Sequence, residues 1–159
     1  SSGDRRGEEI AHGLYMVGQY YPDSVRVSFG FQDVTIPLLS SDIFAMPSLH
    51  EPGGISQLEA FSAGCLVVAR ATGGLRDTVK PLSVSGSDVK GNGFLFSDYH
   101  SWAFYDVMER AHRFFREQDE LVHYRARINA ENSVYYWDKP ARQYVEAIYN
   151  MTETIRILD

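Results

Sequence analysis

The chain has 159 residues, of which 44% are apolar, so it is long and apolar enough to form one domain around a hydrophobic core. Its 15 basic and 21 acidic residues give a formal net charge of −6, which argues against an electrostatic grip on nucleic acid as the main function. The apolar stretches all fall short of the roughly 20 residues that span a bilayer, so no membrane partner is expected.

The first third of the chain alternates helical and strand patterns. Apolar residues at helical spacing predict a helix over residues 7–21. Alternating apolar and polar residues then predict a strand over residues 25–31, and a short helical piece is expected at residues 33–41. The continuous apolar run at residues 42–47 predicts a strand that is buried on both faces.

The rest of the chain continues this alternation. A helix over residues 55–64 leads into a second buried strand at residues 65–71, whose Cys65 we interpret as a core residue rather than a nucleophile. A double-glycine turn and a short helical piece follow. Beyond them we expect an exposed loop at residues 81–93, a short strand at residues 93–97, and helices over residues 102–132 and 137–157.

Strands that alternate with helices at this spacing predict an α/β fold with a mostly parallel sheet flanked by helices. Sheets of this kind bind ligands at the carboxyl ends of their strands. Two turns therefore become candidates for a binding site, one after residues 42–47 and one after residues 65–71.

The first of these turns combines glycines with acidic residues. Gly53 and Gly54 stand at the start of a predicted helix, where bare backbone N–H groups and the helix dipole favour an anion such as a diphosphate. Glu51 and Glu59 flank that position and could bracket an elongated ligand, since carboxylates accept hydrogen bonds from the vicinal hydroxyls of sugars and ribose. Taken singly, the glycines also suit a plain tight turn, and the glutamates also suit solvated charges at a helix start.

The second turn supplies another glycine pair at the neighbouring strand end. It contains Thr72, Gly73 and Gly74, so the two turns are expected to converge on one cleft. Arg70 and Arg76 lie beside this turn, where a contact with phosphate and an ordinary surface role are both compatible with the sequence.

In order and spacing, residues 41–79 resemble the core signature of glycogen and starch synthases and of related retaining glycosyltransferases with the two-domain GT-B fold. The motif comprises a strand ending in Pro-Ser, then Glu-Pro-x-Gly, a second glutamate after seven intervening residues, a strand, and Thr-Gly-Gly-Leu-x-Asp-Thr-Val. Weaker similarity spans roughly residues 3–150.

The resemblance implies that residues 1–159 form a Rossmann-like donor-binding domain, the carboxyl-terminal half of a GT-B enzyme, expected to lack its first two strands. The terminal helix, residues 137–159, is expected to pack toward an absent acceptor domain. Glu51 would be the catalytic carboxylate that holds the donor sugar, and His50 is a further candidate contact. The implied donor-binding residues are Gly53, Gly54, Ile55, Glu59, Thr72, Gly73 and Gly74.

The implied function is transfer of glucose from ADP-glucose or UDP-glucose to an α-1,4-glucan, with no metal or other cofactor, in a cytoplasm or plastid stroma. The nucleotide sugar is the expected partner of this chain, and the glucan would bind through the other domain. In the family, an arginine and a lysine that neutralise the pyrophosphate would precede Gly3, so the isolated chain is expected to be inactive.

The sequence is also compatible with two other functions. One is a non-catalytic module that binds a sugar nucleotide or glucan, and the other is a retaining transferase for lipid or small-molecule acceptors. The retention of Glu51 with Gly53 and Gly54 favours an enzyme over a decayed module.

Overall fold

A computed structural model describes residues 5–30, 32–134, 136 and 138–157. The chain divides into two compact units at Val34, and each unit is described by itself. Among the described residues, every helix is too short or too polar to cross a membrane.

The amino-terminal unit contains the predicted first helix, α1 (Arg5–Tyr20). The strand expected at residues 25–31 is wrong, because residues 25–30 adopt no regular structure and residue 31 lies outside the described part. Val27 instead packs against the helix, where a Cβ placed on Gly18 would lie 3.1 Å from the Val27 Cγ2 atom. In place of a paired strand, this segment thus has one apolar side chain, Val27, against the helix, while Phe29 is exposed.

The second unit holds the sheet and the remaining helices. In chain order its elements are α2 (Thr35–Leu39), β1 (Ile43–Met46), α3 (Ser56–Ser62), β2 (Leu66–Arg70), α4 (Gly73–Thr78), β3 (Ser83–Ser85), β4 (Asp88–Lys90), β5 (Gly93–Phe96), α5 (Ser101–Glu117), α6 (Glu120–Glu131) and α7 (Asp138–Ile157). Of the predicted terminal helix, residues 137, 158 and 159 lie outside the described part.

The main sheet has three parallel strands in the order β1-β2-β5, as the alternation of strands and helices predicts. Ile43 is in register with Leu66, and Val67 with Gly93. The central strand β2 is buried along almost its whole length. The expectation that residues 42–47 are buried on both faces is wrong, since β1 has the edge position in this sheet and Ala45 is exposed.

Helices flank the sheet and close the core. Phe114 of α5 packs edge-on against Phe94 of β5, with ring centroids 6.0 Å apart. Phe61 of α3 and Ala126 of α6 are fully buried in the same apolar cluster. Cys65 also lies in this cluster, so its interpretation as a core residue is confirmed.

Two further expectations are corrected. Residues 81–93 are not simply a loop, because β3 and β4 form an antiparallel hairpin whose turn contains Gly86. The single helix expected over residues 102–132 is broken between α5 and α6, because the Asp119 carboxylate accepts a hydrogen bond from the Val122 N–H, 2.9 Å away, and starts a new helix.

Candidate functional site

The candidate residues lie at one edge of the parallel sheet. Strands β1 and β2 run in the same direction and in register, so the turns that follow Met46 and Arg70 emerge side by side. Residues 47–55 form the first turn and residues 71–72 the second. The predicted convergence of the two glycine pairs therefore follows directly from the sheet.

The backbones of the two turns are in direct contact. The Gly74 N–H donates to the carbonyl oxygens of Glu51, at 3.1 Å, and Pro52, at 3.3 Å. A Cβ on Gly73 would overlap the Glu51 carbonyl group, and one on Gly74 would lie 2.8 Å from the Gly53 carbonyl carbon. Glycine is required at both positions because another peptide segment occupies the side-chain space.

The glycines of the first turn have different surroundings. A Cβ on Gly53 would meet no atom within 4 Å, whereas Gly54 has a φ of +73° and its missing side chain is replaced by the amide of Gln57. The helix that follows, α3, begins after Ile55 without a side-chain cap. The N–H groups of Leu58 and Glu59 donate to the Ile55 carbonyl oxygen, so hydrogen-bonding capacity for a ligand at this end is limited to the N–H groups that precede Leu58.

The side chains expected to contact the ligand are accessible. Glu51 is half-buried, while His50 and Glu59 are exposed, the latter in the first turn of α3. Ile55 is 74% exposed, and Thr72 is half-buried immediately before α4. The structure thus brings the backbone of Glu51 against Gly73 and Gly74. The functional roles of all these residues stay predictions.

Arg70 connects the three strand ends rather than standing free. Its guanidinium donates to the carbonyl oxygens of Leu49, at 2.8 Å, and Ser97, at 3.2 Å, and lies over the ring of Tyr99. Arg76 donates to the Ala71 carbonyl oxygen, 3.0 Å away, within its own turn. Both guanidinium groups therefore support the loops around the site.

Sequence reasoning missed Gln57 and Thr78. The side-chain nitrogen Nε2 of Gln57 donates to the carbonyl oxygens of Gly53 and Gly54, at 3.1 and 2.9 Å. The same nitrogen lies 3.4 Å from the hydroxyl of Thr78, which itself donates to the Gly74 carbonyl oxygen at 2.8 Å. The available signal was the spacing, since a side chain three or four residues after a glycine can reach back across one helical turn.

Titratable groups offer no metal site within the described part of the chain, where no three His, Cys, Asp or Glu residues cluster. Burial raises the pKa of the Cys65 thiol, which donates to the Leu38 carbonyl oxygen at 3.1 Å. This thiol lies in the core and takes no part in the candidate site.

Comparison with known proteins agrees with this architecture. The family model described as glycosyl transferases group 1 matches residues 21–125. The chain belongs to this family. This match, the glycogen synthase relatives and a starch synthase structure together confirm the resemblance to glycogen and starch synthases seen in the sequence.

The family members with similar sequences include glycogen synthases. The chain is 37% identical over 146 residues to glycogen synthase of Desulfitobacterium hafniense, an alignment that covers 90% of this chain and 30% of the relative. Glycogen synthase of Thermotoga petrophila is 37% identical over 143 residues, covering 87% of this chain and 28% of the relative. The chain thus spans about 30% of the length of these relatives.

Solved structures give the same result for the fold. The catalytic domain of starch synthase IV from Arabidopsis thaliana, bound to ADP and acarbose, superimposes with a TM-score of 0.66 and 26% identity, covering 85% of this chain and 28% of that one. Sucrose-phosphate synthase from Thermosynechococcus elongatus gives a TM-score of 0.60 at 21% identity over 90% of this chain and 34% of that one, which bears on the fold alone. The expected fold, a parallel sheet flanked by helices as in GT-B glycosyltransferases, is confirmed.

Proposed function

We propose that this chain is the donor-binding part of a retaining glucosyltransferase that extends an α-1,4-glucan from ADP-glucose or UDP-glucose. The observation that carries the proposal is the Gly74–Glu51 hydrogen bond of 3.1 Å, which joins the two strand-end turns into one backbone surface. The similarity to glycogen synthases and to a starch synthase bound to ADP and acarbose supports the choice of ligand.

In this proposal the donor lies along the first turn. The uncapped start of α3 and the open space beside Gly53 suit the distal phosphate of the nucleotide, because backbone N–H groups bind anions at helix starts. The exposed side chain of Ile55 would pack beneath the nucleotide, and Glu59 would accept hydrogen bonds from the ribose hydroxyls.

The sugar end of the donor would meet Glu51. Its carboxylate would accept hydrogen bonds from the sugar hydroxyls and stabilise the positive charge that develops on the ring during transfer. Thr72, Gly73 and Gly74 would line the same end through the hydroxyl and the backbone, and His50 is a further candidate contact. The glucan would bind to another part of a longer enzyme, and no metal or cofactor enters the proposed reaction.

Titration calorimetry with ADP-glucose and with UDP-glucose tests the proposal. We expect saturable binding of one of them, weakened about fivefold by Glu59→Gln, because the uncharged amide oxygen still accepts hydrogen bonds but about half as strongly as the carboxylate. Glu109→Gln, an exposed glutamate on α5, is the matched control and should bind like the wild type. Absence of binding to both nucleotide sugars, or equal weakening by the control, would contradict the proposal.

A transfer assay separates the enzyme from the alternatives. The isolated chain should incorporate no radiolabelled glucose into glycogen, whereas a longer protein that contains it should do so. Glucan-independent transfer to a lipid or small acceptor would indicate a different acceptor class, and donor binding without transfer in the longer protein would indicate a non-catalytic module.

A further inference from the structure

The buried amide of Gln57 stands out among the polar groups of the core. Gln57 is fully buried, and its oxygen Oε1 has no hydrogen-bond partner among the described residues. Among the described residues Asn92 is the other buried polar side chain, and both of its polar atoms have hydrogen-bond partners. Its Oδ1 accepts from the Lys80 N–H, and its Nδ2 donates to the Thr78 carbonyl oxygen and to the Ser133 hydroxyl. An unpartnered buried acceptor costs about 1–3 kcal/mol, and the hydrogen bonds that Nε2 donates offset this cost.

The orientation of this amide follows from its neighbours. Nε2 lies 3.1 Å from the carbonyl oxygen of Gly53 and 2.9 Å from that of Gly54. Rotating the amide by 180° would place Oε1 against two carbonyl oxygens, so only the observed orientation is favourable. An apolar side chain of similar size would avoid the unpartnered Oε1 but would leave both carbonyl groups without this donor.

Through Thr78 the same nitrogen also reaches the second turn. The Thr78 hydroxyl, 3.4 Å from Nε2, donates to the Gly74 carbonyl oxygen, and the Gly74 N–H donates to the Glu51 carbonyl oxygen. The Gln57 amide has two hydrogens for three acceptors, so its 3.4 Å contact with Thr78 is the weakest link in this circuit, which runs from α3 to α4 and back to the turn that carries Glu51. One buried side chain thus joins both glycine turns.

From this circuit we infer that Gln57 is a positioning residue for the donor site: it fixes the Gly53–Gly54 turn and, through Thr78, the backbone of Glu51. The inference rests on the proposed function for its link to donor binding, but the positioning itself concerns this chain alone. Gln57 touches no ligand in this scheme, since its side chain is fully buried.

The test compares Gln57→Glu with Asn129→Asp. Both replace an amide by a carboxylate, but the Asn129 amide donates to Val89, away from both glycine turns. Hydrogen exchange of the Gly74 amide is measured without ligand, relative to that of Leu66, whose N–H bonds to Asp42 at the other end of the strands and corrects for global destabilisation. We expect the ratio to rise about tenfold in Gln57→Glu and to stay unchanged in Asn129→Asp.

Nucleotide-sugar affinity, measured on the same variants, should fall about tenfold in Gln57→Glu and stay unchanged in Asn129→Asp. Thr78→Val replaces the hydroxyl by a methyl group; it should raise the Gly74 exchange ratio and lower the nucleotide-sugar affinity, each about threefold. This variant provides the test if Gln57→Glu does not fold. An unchanged Gly74 exchange ratio would overturn the inference, as would a raised ratio with wild-type affinity. If the wild-type chain binds neither nucleotide sugar, the proposed function fails, while the ligand-free exchange ratio still decides whether Gln57 positions the turns.

Discussion

The carbonyl group of Glu51 lies where the side chain of Gly73 would begin, with its carbon 2.8 Å from the position of a Cβ on that glycine. Gly73 also has a φ of +47°, a backbone conformation that side chains with a Cβ disfavour. The second glycine pair is therefore explained by the packing of one turn on the other. Gly54 of the first pair is explained by its φ of +73° and by the Gln57 amide beside it, whereas Gly53 is not explained by packing, because the space beside it is open.

Alanine substitutions should separate these two kinds of glycine. Gly73→Ala forces a Cβ into the Glu51 backbone and should lower the free energy of unfolding by at least about 2 kcal/mol. Gly53→Ala meets open space and an ordinary φ, so its change should stay within about 0.5 kcal/mol. Urea unfolding of the two variants checks this, and equal destabilisation would contradict the packing explanation.

The parallel sheet and the meeting of the two turns could be predicted from the sequence, because apolar runs and the carboxyl-end rule depend on local pattern and topology alone. The requirement for glycine at position 73 could not be predicted, since it depends on the Glu51 backbone, which comes close only after the sheet forms. The same holds for the buried amide of Gln57. The strand expected at residues 25–31 failed because an alternating pattern does not by itself supply a partner strand, and of its apolar residues Val25 and Val27 are only half-buried while Phe29 is exposed.

The free energy of unfolding should fall with rising pH in the alkaline range because of Cys65. Burial raises the pKa of this thiol above its ordinary value of 9.0; the smaller effect of Arg127 opposes this shift, and the still smaller effect of Asp42 adds to it. The folded thiol thus stays protonated at a pH where the unfolded thiol ionises. Its contribution to stability is fully present below the ordinary pKa and is lost as the pH rises through the folded pKa.

Urea unfolding at pH 7 and pH 10, with a reductant present, measures this contribution. The wild type should lose more stability between the two pH values than Cys65→Ala, in which the thiol is absent and all other titrating groups are retained. Equal losses in the two proteins would show that the raised pKa of Cys65 does not affect folding.

The terminal helix α7 should promote self-association of the isolated chain. Its side chains at Tyr144, Val145 and Tyr149 are 71%, 65% and 66% exposed, and exposed apolar patches of this kind favour association. Light scattering at rising concentration should show a growing apparent mass, reduced by Val145→Glu. Gln143→Glu adds the same charge at an exposed, already polar position and is the control. A monomer at all concentrations would refute this expectation.

In a full-length enzyme that contains this chain, Glu51→Ala should lower kcat more than donor affinity, whereas Glu59→Ala should mainly raise the donor KM. Under the proposed function Glu51 faces a sugar ring that becomes cationic only in the transition state, and interactions made only there act on kcat. Glu59 would contact a ribose that the reaction leaves unchanged, so its loss removes binding common to both states. Each loss should amount to about tenfold to a hundredfold, given about 1.5–3 kcal/mol for a hydrogen bond to a charged group. Steady-state kinetics measures both constants, with Glu109→Ala as the control. A change in KM alone in Glu51→Ala, together with a change in kcat alone in Glu59→Ala, would show that the two roles are reversed.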